Sequence, residues 1–180
     1  MRITIDTARV RETFAKFSNN PSLQESAQLF AQGLPVAEMI QALAMNDNVL
    51  RTFAGFANIY PYGTLERAVL EKVILCVSRL RQCQFCTDSH LAIVQRLGIA
   101  TDLASEGQTE RERAAVEYAE HITRDSNHIP DPVFDRLRRV FTESEIVELT
   151  FHIGFITLLN LFNNALQVRY EDEFRRVDIR

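Results

Sequence analysis

The 180-residue sequence has no tryptophan, only six glycines and five prolines, and three cysteines. So little glycine and proline excludes a collagen-like or low-complexity chain. These residues fall mostly between periodic segments, and no alternating apolar run is long enough to read as a strand. A basic block is missing too. Twenty basic residues, only two of them lysine, face 24 acidic ones for a net charge of −4, so a nucleic-acid surface is not expected. The opening MRITIDTARVRETFAKF lacks an apolar core and carries Asp6 and Glu12, unlike a secretory signal or an acid-poor transit peptide. The expected setting is a reducing cytoplasm. There a CxxC pair points to redox chemistry or metal binding rather than to a structural staple.

What remains is ordinary globular material, 46% apolar and 24% charged, in a length that suits one domain with a real core. Helix signals recur along it. Ser22 with Glu25, Thr109 with Glu112 and Thr142 with Glu145 each fit a capping box, in which a hydroxyl caps the first amides and the carboxylate bonds back. Asp131 before Pro132 fits an N-cap with proline at the first helical position. Gly33 and Gly98 sit where a left-handed C-terminal cap would stop a helix. The pattern predicts helices near 7–18, 23–32, 36–45, 47–58, 65–81, 84–97, 110–124, 132–140 and 143–167. The predicted class is all-α, in a single domain: N-terminal helices to residue 60, a core over 64–167 and a polar tail over 168–180.

The segment IVELTFHIGFITLLNLF (146–162) raises the question of a membrane. It contains Glu148, His152 and Asn160 and falls short of roughly twenty apolar residues, so no membrane span is expected. Its apolar residues surround the helix instead of forming one stripe. That pattern predicts burial on every side, with the last face covered by another copy of the chain in a homo-oligomer.

Chemistry concentrates in Leu65 to Ile99, LERAVLEKVILCVSRLRQCQFCTDSHLAIVQRLGI. On a helix starting near Cys83, Cys83, Cys86 and His90 share one face. Cys86 then falls in the first turn, where free amides and the helix dipole favour a thiolate, with Arg79 and Arg81 adding positive potential. Glu71 stands in the nearly apolar run AVLEKVILCV, where only Lys72 is also charged. The two helices flanking Cys83 are joined by a very short connection and are expected to form an antiparallel hairpin. Glu71 lies about eleven residues before the turn and His90 about eight after it. At roughly 1.5 Å per residue the mismatch is within side-chain reach. A carboxylate orienting an imidazole that deprotonates a thiol is the general logic of an activated nucleophile.

This register, Glu71, then Cys83, Cys86 and His90, resembles the signature of the AhpD-like family, the alkylhydroperoxidase branch of the carboxymuconolactone decarboxylase superfamily. Downstream, DPVFDRLRRVFTESEIVELTFHIGFITLLNLFNNAL is similar to that family's later helices and ends in its Phe162–Asn163 pair. The likeness covers about Thr64 to Gln167. It implies an AhpD-like helical bundle, a trimer or hexamer of such subunits, and cofactor-free thiol peroxidase activity on a peroxide substrate. An external dithiol, lipoyl-bearing or thioredoxin-like, is the implied reductant. By the same resemblance Cys86 is the peroxidatic cysteine, Cys83 its proton donor and resolving partner in a Cys83–Cys86 disulfide, and His90 with Glu71 the proton relay. Phe85 departs from the founding members, which carry a second histidine there.

Other readings stand beside this one. Zinc would need Cys83, Cys86 and His90 with Cys76 or Glu71 as fourth ligand, and a second CxxC pair is missing. Haem attachment is excluded because Thr87 follows Cys86. Cys76 reads as a small buried hydrophobe. Glu71 could instead pair with Arg67 at the surface. His121 and His128 read as solvated, His152 as a core histidine, and Tyr60 and Tyr62 as residues bordering the pocket. A lactone decarboxylase-like acid–base enzyme and a non-catalytic thiol sensor are the functional alternatives.

Overall fold

A computed structural model describes residues 1–57, 63–100 and 109–170. All regular structure among these residues is helical, as the sequence pattern predicts. The helices are α1 (Thr7–Lys16), α2 (Gln24–Ala31), α3 (Glu38–Ala44), α4 (Asp47–Ala57), α5 (Arg67–Leu80), α6 (Gln84–Leu97), α7 (Glu110–Arg124), α8 (Asp131–Val140) and α9 (Glu143–Leu166). The chain divides into two compact units, Met1–Gly63 with Leu166–Arg180, and Thr64–Ala165.

In the first unit, Val10, Phe14, Leu23, Leu43 and Leu50 form the buried core, and Phe14 meets Phe30 edge-on at 5.3 Å. Asp47 ties α1 to α4. It accepts from Thr13 Oγ1 at 2.7 Å and pairs with Lys16 at 2.5 Å and Arg9 at 3.3 Å. Those bonds, led by that of Lys16, pull its carboxyl down to about 2.

The second unit is organised by α5, whose residues Val69 to Ser78 are buried without a break. It packs against α6 and α7, and α7 packs against α8. A helix buried on all sides must neutralise any charge it carries. Lys72 does so against Glu112 of α7, Nζ to Oε1 3.0 Å, both side chains at most one-tenth exposed. Glu112 also closes the expected capping box with Thr109, in both directions. The Thr142–Glu145 box forms in both directions as well. Between these two helix starts lies Arg111, bonded to Glu66, Glu145 and the Val140 carbonyl and set over the Phe141 ring at 4.1 Å.

Two caps differ from the sequence reading. Helix α2 starts at Gln24 with Leu23 as its N-cap, because Asn20 takes over: its Oδ1 accepts the Ser22 amide and its carbonyl those of Leu23 and Gln24. Helix α8 starts one residue early, with Pro130 as N-cap and Asp131 inside its first turn. Gly33 and Gly98 adopt the left-handed conformation expected of them, at φ 71° and 64°. Helix α9 is long and apolar enough to cross a membrane, with mean hydropathy 1.4 over eighteen residues, of which 44% are buried. The core helix of a globular unit can have the same length and composition, and α9 buries His152, Asn160 and Asn163.

The Lys72–Glu112 pair yields a stability prediction. Lys72→Ala strands a buried carboxylate and costs about 3 kcal/mol. Thr109→Ala removes a single cap bond and costs about 1 kcal/mol. Urea unfolding followed by circular dichroism separates the two; equal costs would mean that water already screens the ion pair.

Candidate active site

Three residues, Arg81 to Cys83, join α5 to α6. Arg81 caps α5, and Gln82 takes up the left-handed conformation at φ 54°. That conformation costs a non-glycine residue roughly 1–2 kcal/mol. It reverses the chain so tightly that the Cys83 amide still bonds to the Ser78 carbonyl, at 2.9 Å. Cys83 thereby becomes the N-cap of α6, and its sulfur accepts the Cys86 amide at 3.4 Å. Cys86 occupies the first turn, as expected. The helix-terminal amide, however, reaches Cys83 rather than Cys86.

This placement decides how the pair holds its protons. Both sulfurs are buried, and the Cys86 thiol donates to Cys83. That bond, with the backbone amide and the side-chain amides of Asn160 and Asn163, outweighs burial and lowers Cys83 to about 7. Cys86 holds the shared proton, so the same bond, its burial and the neighbouring thiolate charge push its own pKa up. Opposing them, Asn163 Nδ2 donates to Cys86 Sγ at 3.2 Å. The charge of Arg79 acts on Cys76, where it opposes burial. Cys76 is buried deeper in α5, and burial raises its thiol to about 12.

Glu71 of α5 is fully buried and meets His90 of α6, with Oε2 accepting from Nδ1 at 2.6 Å. Its other oxygen pairs with Arg67 at 2.7 Å. Burial works against the charged carboxylate, but His90 and Arg67 together hold it below the usual range. The two readings of Glu71 thus hold together: it pairs with Arg67 and orients His90, though at a buried position. Nδ1 donating to Glu71 leaves Nε2 as the ring nitrogen for proton exchange. No hydrogen bond joins His90 to either sulfur among the described residues, so the step from imidazole to thiol is not a direct contact here. His90 and Cys86 remain one helical turn apart on α6.

Several residues fall outside this cluster or were missed. His128 is exposed and bonds Asp125, and His121 is half-buried. His152 is buried beside Glu148 at 3.9 Å, and burial lowers its pKa. Tyr60 and Tyr62 lie outside the described residues. Among those described, no three His, Cys, Asp or Glu side chains converge as metal donors. Asn160 and Asn163 are the functional candidates that sequence reasoning did not place. Asn160 donates to Ser78 Oγ at 3.3 Å, and both amides reach the sulfurs. Their signal was present: two amides three residues apart, on one face of an otherwise apolar helix.

A shared proton predicts one thiolate per chain near neutrality. Ultraviolet thiolate absorbance should rise with a midpoint near pH 7, the sulfur being thiol below it and thiolate above. Cys83→Ser should remove that step, and Asn163→Ala, which deletes a donor to the pair, should move it upward. A parent midpoint at the ordinary thiol value would show that the sulfurs titrate independently.

No family model matches the chain. It is 27% identical over 113 residues, 58% of its length and 77% of the relative's, to the uncharacterized protein YdfG of Bacillus subtilis (strain 168). Among solved structures it is similar to the alkylhydroperoxidase AhpD core of a peroxidase-related protein from Ralstonia eutropha JMP134. The TM-score is 0.71 and the identity 20%, over 98% of this chain and 96% of the other. It is also similar to the debrominase Bmp8, with TM-score 0.72 and 21% identity over 97% and 92% of the two chains. The helices that carry Glu71, Cys83, Cys86 and His90 therefore belong to an AhpD-like fold.

Proposed function

We propose that the chain is an AhpD-like enzyme that reduces peroxides with a Cys83–Cys86 dithiol and a Glu71–His90 proton relay. The observation that carries this reading is a pair of buried sulfurs at a helix N-terminus, one accepting the Cys86 amide and the other the Asn163 amide, on the helix whose next turn holds a carboxylate-bound imidazole. At rest the thiolate is on Cys83 and the proton on Cys86. Passing that proton to Cys83 gives a Cys86 thiolate, steadied by the Asn163 amide. Cys86 attacks the terminal peroxide oxygen and the O–O bond breaks. The departing alkoxide takes the Cys83 proton and leaves as alcohol. Cys86 is now a sulfenic acid and Cys83 again a thiolate. Cys83 attacks the Cys86 sulfur, the S–S bond forms, and hydroxide leaves with a proton from the His90–Glu71 pair as water. The peroxide gains two electrons and the thiols lose them. Two exchange steps with an external dithiol restore the pair in a reducing compartment.

Cys83 as the attacking sulfur is the competing assignment, because its pKa is the lowered one. A sulfenic-acid label with mass mapping separates the two. In Cys83→Ser the label should collect on Cys86, and Cys86→Ser should consume peroxide no faster than buffer. Label on Cys83 in Cys86→Ser, with Cys83→Ser inert, reverses the roles. No label on either overturns the peroxidase reading.

Glu71→Gln tests the relay: it should keep the helical fold and lower turnover on the order of 10²-fold. Bromide release from a brominated pyrrole is the matching counter-assay, since a debrominase shares the fold. Bromide release without peroxide turnover would reassign the dithiol to reductive dehalogenation. Stoichiometric rather than repeated peroxide loss would make the chain a sensor.

A further inference from the structure

The first unit holds a cavity of about 400 Å³ between α1 and α2, lined by residues that take no part in the dithiol cluster. Each helix gives it one stripe. On α1 these are Arg11, Phe14 and Ala15, and on α2 Ala27 and Ala31, residues three or four apart that share a helix face. Phe30 completes the apolar wall, edge-on to Phe14 at 5.3 Å. The ring pair sets the spacing of the two helices there. Alanine side chains beside it are too short to fill what that spacing leaves, whereas packed interiors leave few such voids.

The volume bounds the occupant. Ligand pockets run from roughly 300 to 1,000 Å³, so this one lies at the small end. An apolar cavity of roughly 150 Å³ takes one benzene ring. By that measure about 400 Å³ takes on the order of ten to fifteen non-hydrogen atoms, a short chain rather than a nucleotide.

The rim selects the head group. Arg11 is the one charged residue among the described residues that line the cavity, and the polar ones are serine, asparagine and glutamine. Of the three cations on α1, Arg9 and Lys16 pair with Asp47. Arg11 is exposed and makes no ion pair among the described residues. A guanidinium in that position offers two parallel N–H bonds to a carboxylate and repels a cationic head. An apolar body against the two rings and an anionic end on Arg11 satisfy both parts of the site.

We propose that this cavity binds a small monocarboxylate with an apolar tail of about eight carbons, its head on Arg11 and its tail against Phe14 and Phe30. The proposal is independent of the peroxidase reading. Octanoate is the probe. Equilibrium dialysis against the full chain should show one site per chain with a dissociation constant on the order of 0.1 mM. Octanol keeps the tail, loses the charge and should bind about tenfold more weakly. Arg11→Glu should weaken octanoate by at least about tenfold. Ala31→Phe puts a ring into the cavity from an exposed position and should abolish binding with the helical spectrum intact.

A parent chain that does not bind octanoate overturns the proposal. So does octanol binding as tightly as octanoate, or octanoate binding that survives either substitution. Arg11→Glu, at an exposed side chain with no ion pair to lose, decides alone where Ala31→Phe does not fold.

Discussion

The second unit is built around a carboxylate that has no business in an apolar helix. Glu71 is fully buried on α5, and an unpaired charge there would cost several kcal/mol. The fold answers with two partners from two directions. Arg67, one turn back on the same helix, takes one oxygen, and His90, across the connection on α6, takes the other. Only the second of these is a long-range constraint. It requires α6 to return along α5 in one register, and the tight reversal at Gln82 delivers that register. An apolar residue at 71 would let the two helices slide. The carboxylate fixes them, and with them the orientation of the imidazole, whose spacing from the sulfurs α6 itself sets.

The same reversal determines which sulfur is charged. A CxxC pair at the start of a helix is asymmetric by construction, because the first cysteine sits at the N-cap and the second inside the first turn. The N-cap side chain is the one that receives backbone amides, so Cys83 takes the Cys86 N–H and the thiolate with it. Cys86 is left with the proton and with Asn163. Charge and nucleophilic role need not coincide in such a pair. A thiolate that has just given up stabilising bonds reacts more readily than one resting in them, and a proton transfer between the two sulfurs exchanges the two states. Burial makes that transfer consequential: with both sulfurs out of water, the proton has few other places to go.

Much of this was legible in the sequence. The nine helices among the described residues fall where periodicity and caps put them, since each cap is a local contract between residues three apart: Thr109 with Glu112, Thr142 with Glu145. The failures are local too. Ser22 and Asp131 have capping chemistry, but a neighbour with stronger claims, Asn20 in one case and the fixed φ of Pro130 in the other, moves the boundary by one residue. At the site, Glu71 and His90 were readable because one sits alone in an apolar run and the other keeps helical register with a cysteine. Which of two sulfurs would hold the amide was not readable, because it turns on a single residue of helix phase. Asn160 and Asn163 were passed over because a polar residue in a long apolar helix reads as a defect of hydropathy until its partner, 77 residues away for Asn163 and Cys86, is known.

Helix α9 shows why that defect matters. A helix of 24 residues with polar amides on one side and exposed apolar residues on the other is neither a plain core helix nor a surface helix. Its buried amides cannot rotate away from the sulfurs without carrying the opposite face with them, because the rod turns as one body. Free rotation of a few tens of degrees would move a side-chain amide by more than the tolerance of a hydrogen bond.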